Sequence, residues 1–140
     1  MSNSPELALQ TAVFSHVQQD AGVQAALTLP VRLYDDPPPS PSYPFVSFGR
    51  HQSRPIEGDA EPVLEQELSL HVWSRYGGKA EAQNVLHALR EALQTMPTQM
   101  NGHVLVGFRT IFSDTFRARD GRVFQAVLRL RVLTQRTINS

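Results

Sequence analysis

Apolar and polar positions change their period within a few residues near the middle of this chain. Leu68, Leu70 and Val72 alternate with Ser69, His71 and Trp73, the period-two pattern of a half-buried strand. Beyond Gly77-Gly78 the apolar positions are Ala82, Val85, Leu86, Leu89, Leu93 and Met96, one stripe on a helix expected from about Lys79 to Met96. A strand over Val63 to Arg75 therefore turns sharply into an amphipathic helix.

The same reading extends in both directions. Ser4-Pro5-Glu6 is a helix start, with a capping hydroxyl, proline at the first helical position and an acid in the first turn. Leu9, Ala12, Val13 and Val17 give that helix its stripe, with Leu7 and Phe14 at the margins, and Asp20-Ala21-Gly22 interrupts it. One further turn is expected between Val23 and Leu29, before Pro30. Val31 to Tyr34 is a short strand. Residues 35–44 hold five of the ten prolines, a stiff extended connector that cannot lie within a sheet. A polyproline ligand for an aromatic groove is the alternative reading of that stretch. Phe45 to Gly49 resumes as a strand. Residues 50–62, polar and broken by Pro55, Gly58 and Pro62, are expected to form a long flexible hairpin loop.

After the helix, Pro97 stops it and Asn101-Gly102 makes a tight turn. Two long strands follow, His103 to Phe112 and Arg122 to Leu133, with Asp120-Gly121 as the hairpin signal between them. In the last strand Phe124, Ala126, Leu128, Leu130 and Val132 face the core, and Gln125, Val127, Arg129 and Arg131 face away. The order α-β-β-β-α-β-β predicts an α+β fold: a mainly antiparallel sheet of about five strands with two helices packed on one face.

A length of 140 residues suits a single domain (residues 1–140) with one core, its ends at 1–3 and 137–140 expected to be disordered. There is no cysteine, which excludes disulfides, thiolate nucleophiles and Cys-based zinc sites. The sequence has neither an 18-residue apolar run nor a signal-peptide pattern, so a soluble cytoplasmic protein is expected, with no membrane partner. Net charge is zero, which argues against non-specific attraction to DNA. Its distribution is uneven. Glu57, Asp59, Glu61, Glu65 and Glu67 crowd residues 57–67, whereas residues 109–136 hold seven arginines, among them Arg117, Arg119, Arg129 and Arg131. Two readings stand: strand faces that pair within one chain, or complementary patches that meet between subunits.

Candidate chemistry is thin. His16 and Asp20 lie one helical turn apart, a spacing expected on a solvated helix face, and the remaining histidines fall on separate elements with no metal-ligand spacing. His71 is expected on the outer sheet face beside Trp73. Asp35-Asp36 point to opposite sides of an extended chain, so a loop role is preferred to a carboxylate pair. Gly77-Gly78 before a helix reads as a turn rather than an anion site, and Trp73, Arg75 and Tyr76 as packing or a protein interface rather than a base-stacking platform. No catalytic residue, cofactor or metal is expected; the chain does not read as an enzyme.

Four ordered segments carry a resemblance: Leu33-Tyr34-Asp35 leading to Tyr43-Pro44-Phe45-Val46-Ser47-Phe48-Gly49; Leu68 to Arg75, including Trp73; Gly78-x-x-Glu81-Ala82 opening a helix through Leu93; and Arg119-Asp120-Gly121 followed by Ala126 to Arg131. Over roughly residues 31–133 the chain resembles the small tail-terminator, or tail-completion, proteins of long-tailed phages, prophages and gene transfer agents. The resemblance implies a structural protein of the virion tail, assembled in the bacterial host cytoplasm. It implies a ring of copies, six in such proteins, that caps the head-proximal end of the tail tube and ends its polymerisation. Its implied partners are itself, the tail tube protein and the head connector. A head-completion or connector protein is the near alternative, and a small nucleic-acid-binding module the remote one. On this reading Tyr43, Pro44, Trp73, Arg75, Gly78, Glu81, Asp120 and Gly121 are scaffold. Because a closed ring needs two unlike surfaces that match, the acidic 57–67 segment and the Arg-rich region are the candidate contacts.

Overall fold

The computed structural model describes residues 4–56 and 62–137. Its elements are α1 (Pro5–Gln18), α2 (Ala21–Leu27), β1 (Leu33–Tyr34), β2 (Phe45–Ile56), β3 (Val63–Ser74), α3 (Ala80–Leu93), β4 (Gln99–Met100), β5 (His103–Arg117) and β6 (Phe124–Arg136). One six-stranded sheet runs in the order β1-β2-β3-β6-β5-β4, antiparallel throughout except for the short β1–β2 pair. The expected α+β class stands. Strand β4 is additional, and the turn expected between Val23 and Leu29 is the short helix α2; both have too few residues for a periodicity argument to define.

Local chemistry accounts for the boundaries. Ser4 Oγ accepts a hydrogen bond from Leu7 N at 3.1 Å, capping α1. Asp20 Oδ2 accepts from Val23 N at 3.0 Å, so the residue expected to interrupt a helix also caps the next one, α2. His16 is not on a solvated face: its Nε2–H donates to Ala92 O at 2.8 Å and lies 3.0 Å from Thr95 Oγ1, tying α1 to the end of α3. Asn101-Gly102 makes the two-residue turn between β4 and β5, with Gly102 at φ +78°. The Asp120-Gly121 connection is longer, spanning residues 118–123. Asp120 Oδ1 accepts from Arg122 N and Val123 N, and Gly121 takes φ +78°.

One core joins both layers. Leu9, Val13 and Val17 of α1, Val23 and Leu27 of α2, and the α3 stripe Ala82, Val85, Leu86, Leu89, Ala92 and Leu93 pack with Leu68, Leu70, Val72, Ala126, Leu128, Leu130 and Val132 of the sheet. The alternate residues of β3 and β6 point to the other face, which no described helix covers.

Two expectations about loops are corrected. Residues 50–56 belong to β2, which pairs with β3 as far as Ile56↔Val63. Pro55 is tolerated because β1 covers β2 only at Val46 and Ser47, so the missing N–H can fall on an unpaired edge. Thr137 is ordered, its N–H bonded to Gly102 O at 2.9 Å. The rest of the expected flexible segments, 1–3, 57–61 and 138–140, lies outside the described residues.

Candidate functional site

The open sheet face is built by strand alternation. From β3 it receives Glu65, Glu67, Ser69, His71 and Trp73, and from β6 Gln125, Val127, Arg129, Arg131 and Leu133. Facing positions on β2 and β5 add Phe45, Ser47, Gln52 and Arg54 on one side, and Arg109, Phe112, Asp114 and Phe116 on the other.

One end of this face is aromatic. Phe45 stacks on Trp73 at 6.0 Å between ring centroids, Tyr43 meets Phe45 edge-on at 5.1 Å, and the Arg75 guanidinium lies 4.5 Å over the Tyr43 ring. Trp73 Nε1–H donates to Ser47 Oγ at 3.0 Å. These contacts join Tyr43, Trp73 and Arg75 in one cluster with Phe45. Buried Pro44 lies between Tyr43 and Phe45 and its carbonyl accepts from Arg32 Nε at 2.8 Å. His71 lies beside Trp73, as expected, with ring centroids 6.3 Å apart, and its Nδ1 accepts from Gln125 Nε2 at 2.8 Å. Burial, then the nearby Arg129 charge, pulls the His71 pKa below the usual imidazole range, so the neutral ring is favoured. The His71 ring also occupies the space a side chain at Gly49 would need: a Cβ there would sit 2.3 Å from its Cδ2 and Nε2.

The other end is charged, and here the structure brings two of the sequence candidates together. Glu65 is buried and sits between two arginines, Arg54 Nε at 2.6 Å and Arg131 Nε at 2.5 Å. These charge-assisted bonds hold its carboxyl below the usual carboxylate range. The acidic and basic stretches lie on neighbouring central strands, because β3 pairs with β6 in a register that sets Glu65 opposite Leu133 and Glu67 opposite Arg131. Part of the sequence asymmetry is thus neutralised inside one chain. Glu67 and Arg129 face the open side of a shallow depression of about 480 Å³ with Arg50, His71 and Asp114, and Arg129 stacks over Phe112 at 4.9 Å. Arg117 lies over Phe124 at 4.8 Å, and Arg119 is exposed in the β5–β6 turn. Glu57, Asp59 and Glu61 fall outside the described residues.

Of the remaining candidates, Asp120 and Gly121 lie in the β5–β6 connection, whereas Gly78 and Glu81 lie where β3 joins α3. Ser74 Oγ donates to Glu81 Oε1 at 2.7 Å and accepts from Tyr76 N at 3.1 Å, closing the Gly77-Gly78 turn like a brace. Gly78 adopts φ +140°, a conformation other residues rarely take, which explains glycine at that position.

Sequence reasoning missed Arg54, whose segment read as a loop, and Gln125 as the partner of His71. It also missed Gln66, which is fully buried on the core side and bonds His51, Thr134 and the Pro5 carbonyl. Only the alternation of β3 hinted at Gln66, by placing a polar residue at a core-facing position. Among the described residues no cluster of three or more His, Asp or Glu is placed to hold a metal, and no helix is long and apolar enough to cross a membrane.

The fold is that of a small α+β protein with a one-sided helix layer and an open sheet face. The family model for tail completion protein gp17 matches residues 11–135, and the chain belongs to that family. The tail completion protein gp17 of Bacillus phage SPP1 is 25% identical over 126 residues, covering 89% of this chain and 90% of that protein. A chain in the virion of a native gene transfer agent particle superposes with a TM-score of 0.85, at 22% identity, covering 96% of this chain and 99% of that one. The SPP1 gp17 structure gives a TM-score of 0.62 at 23% identity, covering 96% and 91%. A structural tail-completion role in the virion tail follows from this membership.

Proposed function

We propose that the protein forms a ring at the head-proximal end of the tail tube, where it ends tube polymerisation and presents a surface to the head connector. The observation that carries this reading is the family match across nearly the whole chain. It agrees with a molecule whose distinctive groups lie on an open face and not in an enclosed cleft. Ring closure requires two unlike surfaces on each subunit. Glu65 and Arg131 are engaged with each other, which leaves Glu67, Arg117, Arg119 and Arg129 as the charged candidates for subunit or partner contacts, together with Glu57, Asp59 and Glu61. The tail tube protein and the head connector are the partners. The test is the loss of this protein from an assembling particle, read by electron microscopy. Tails of normal length, joined normally to heads, would refute the reading; overlong tubes without heads are expected.

A further inference from the structure

The sheet ends in two long strand edges. β1 bonds β2 only beside Val46 and Ser47, and among the described residues no main-chain group pairs with that side of β2 over residues 49–56. At the opposite end β4 pairs with His103 and Val104, and Leu105 N donates to Thr98 O at 2.7 Å. From Val106 to Arg117 the outer side of β5 has no main-chain partner among the described residues. Unpaired edges of this length expose rows of N–H and C=O groups and act as templates for a further strand.

The β5 edge is also apolar where it is irregular. The β5–β6 register shifts between Leu105 and Gly107 and again between Thr110 and Phe112, leaving Val106 and Ile111 as the extra residues. These two and Phe112 are exposed by 49%, 40% and 46%. β2 carries its own shift, between Phe48 and His51. Irregular edges of this kind discourage indiscriminate pairing.

We propose that copies of this chain associate side by side through these two edges, β5 of one against β2 of the next, so that the sheet continues from subunit to subunit. Three observations commit the occupant to a second copy. The edges are unlike and lie at opposite ends of one sheet, which is what a head-to-tail interface requires. Both free stretches, residues 49–56 and 106–117, are long enough to form several ladder bonds. β2 and β5 run in opposite directions within the sheet, so continuation of the sheet pairs them antiparallel, the slightly stronger arrangement. Exposed charges flank both edges: Asp35 and Asp36 follow β1 and Arg50 lies on β2, while Arg117, Arg119 and Arg122 lie at the β5 end.

This inference rests on the ring reading and names its contact. The chain has no cysteine, so Gln52→Cys on β2 and Ile111→Cys on β5 can be introduced singly at exposed positions. The two variants are mixed, assembled in solution or on isolated tails, and treated with a flexible bis-maleimide. Cross-linked dimers are expected from the mixture and from neither variant alone. The pair Val106→Lys and Ile111→Lys in one chain should abolish assembly while leaving the circular dichroism spectrum and monomer solubility unchanged. Rings that form normally without the mixed cross-link, or in spite of both lysines, would overturn the edge contact and leave the ring reading standing. A wild-type protein that forms no ring in solution or on tails would overturn both.

Discussion

Replacing Gly49 by alanine tests how closely the sheet packs on its open face. In most settings Gly→Ala stabilises by about 0.4–1 kcal/mol, through a less flexible unfolded chain. Gly49 has no positive φ to forbid a side chain, so this gain would apply if there were room. There is not: the new Cβ would lie 2.3 Å from two atoms of the His71 ring, against an ordinary contact of about 3.5–4.0 Å. The ring must retreat by more than an ångström. It is held by the Gln125 bond at 2.8 Å and by its stack on Trp73. Losing the bond costs about 1 kcal/mol, and overpacking of this kind about 1–3 kcal/mol. After the entropic gain the net destabilisation is about 2 kcal/mol, or roughly 6–10 °C in Tm for a chain of this size. Urea unfolding of four proteins checks it: wild type, Gly49→Ala, His71→Ala and the double variant. The double variant should be about as stable as His71→Ala alone, a coupling of roughly 1–2 kcal/mol. A Gly49→Ala protein as stable as wild type, or purely additive effects, would refute the steric argument.

Four shorter expectations follow from other parts of the structure. Gly78→Ala should destabilise by about 1–3 kcal/mol, because φ +140° is strained for any side chain, whereas Gly77→Ala should stay within about 0.5 kcal/mol; equal effects in chemical denaturation would contradict the turn geometry. Ser74→Ala removes a buried hydroxyl serving both Glu81 and Tyr76 N, and should cost about 1–3 kcal/mol in the same assay. The lowered His71 pKa means the unfolded chain binds its proton first, so stability should fall as pH drops below about 6.5, and His71→Gln should flatten that limb of a Tm-against-pH curve. Glu65 and Glu6 are also lowered, from 4.5, but as carboxylates: their contribution is present above that value and lost as pH falls below it, so Glu65→Gln should reduce the acid-side slope at a cost in neutral stability.

The strongest local periods were legible from the residues. The alternation in β3 and β6 and the stripe in α3 named the buried face of each, because one apolar face must meet a core whatever the fold. The Ser4 cap, the Gly77-Gly78 turn and both hairpins were written in local chemistry as well. Long-range matters were not. His16 and Asp20 looked like a solvated helix face, yet His16 grips the end of α3, 76 residues away in sequence, while Asp20 caps α2 through the nearby Val23 N. The 50–62 segment read as a loop because Pro55 is forbidden in a fully paired strand, and only the position of β2 beside a short β1 makes it permissible.

The charged candidates divide along the same line. The sequence alone determined that acids and arginines are segregated along the chain, and that both alternate with apolar residues on strands. It could not say whether they meet within a subunit or between subunits, since that depends on which strands are neighbours and in what register. Tertiary structure decided it for Glu65 and Arg131, by pairing β3 with β6 at the centre of the sheet. Side-chain pattern is a property of consecutive residues and survives in any fold that buries them; partnership is a property of strands brought together from 66 residues apart, and exists only once the sheet is formed.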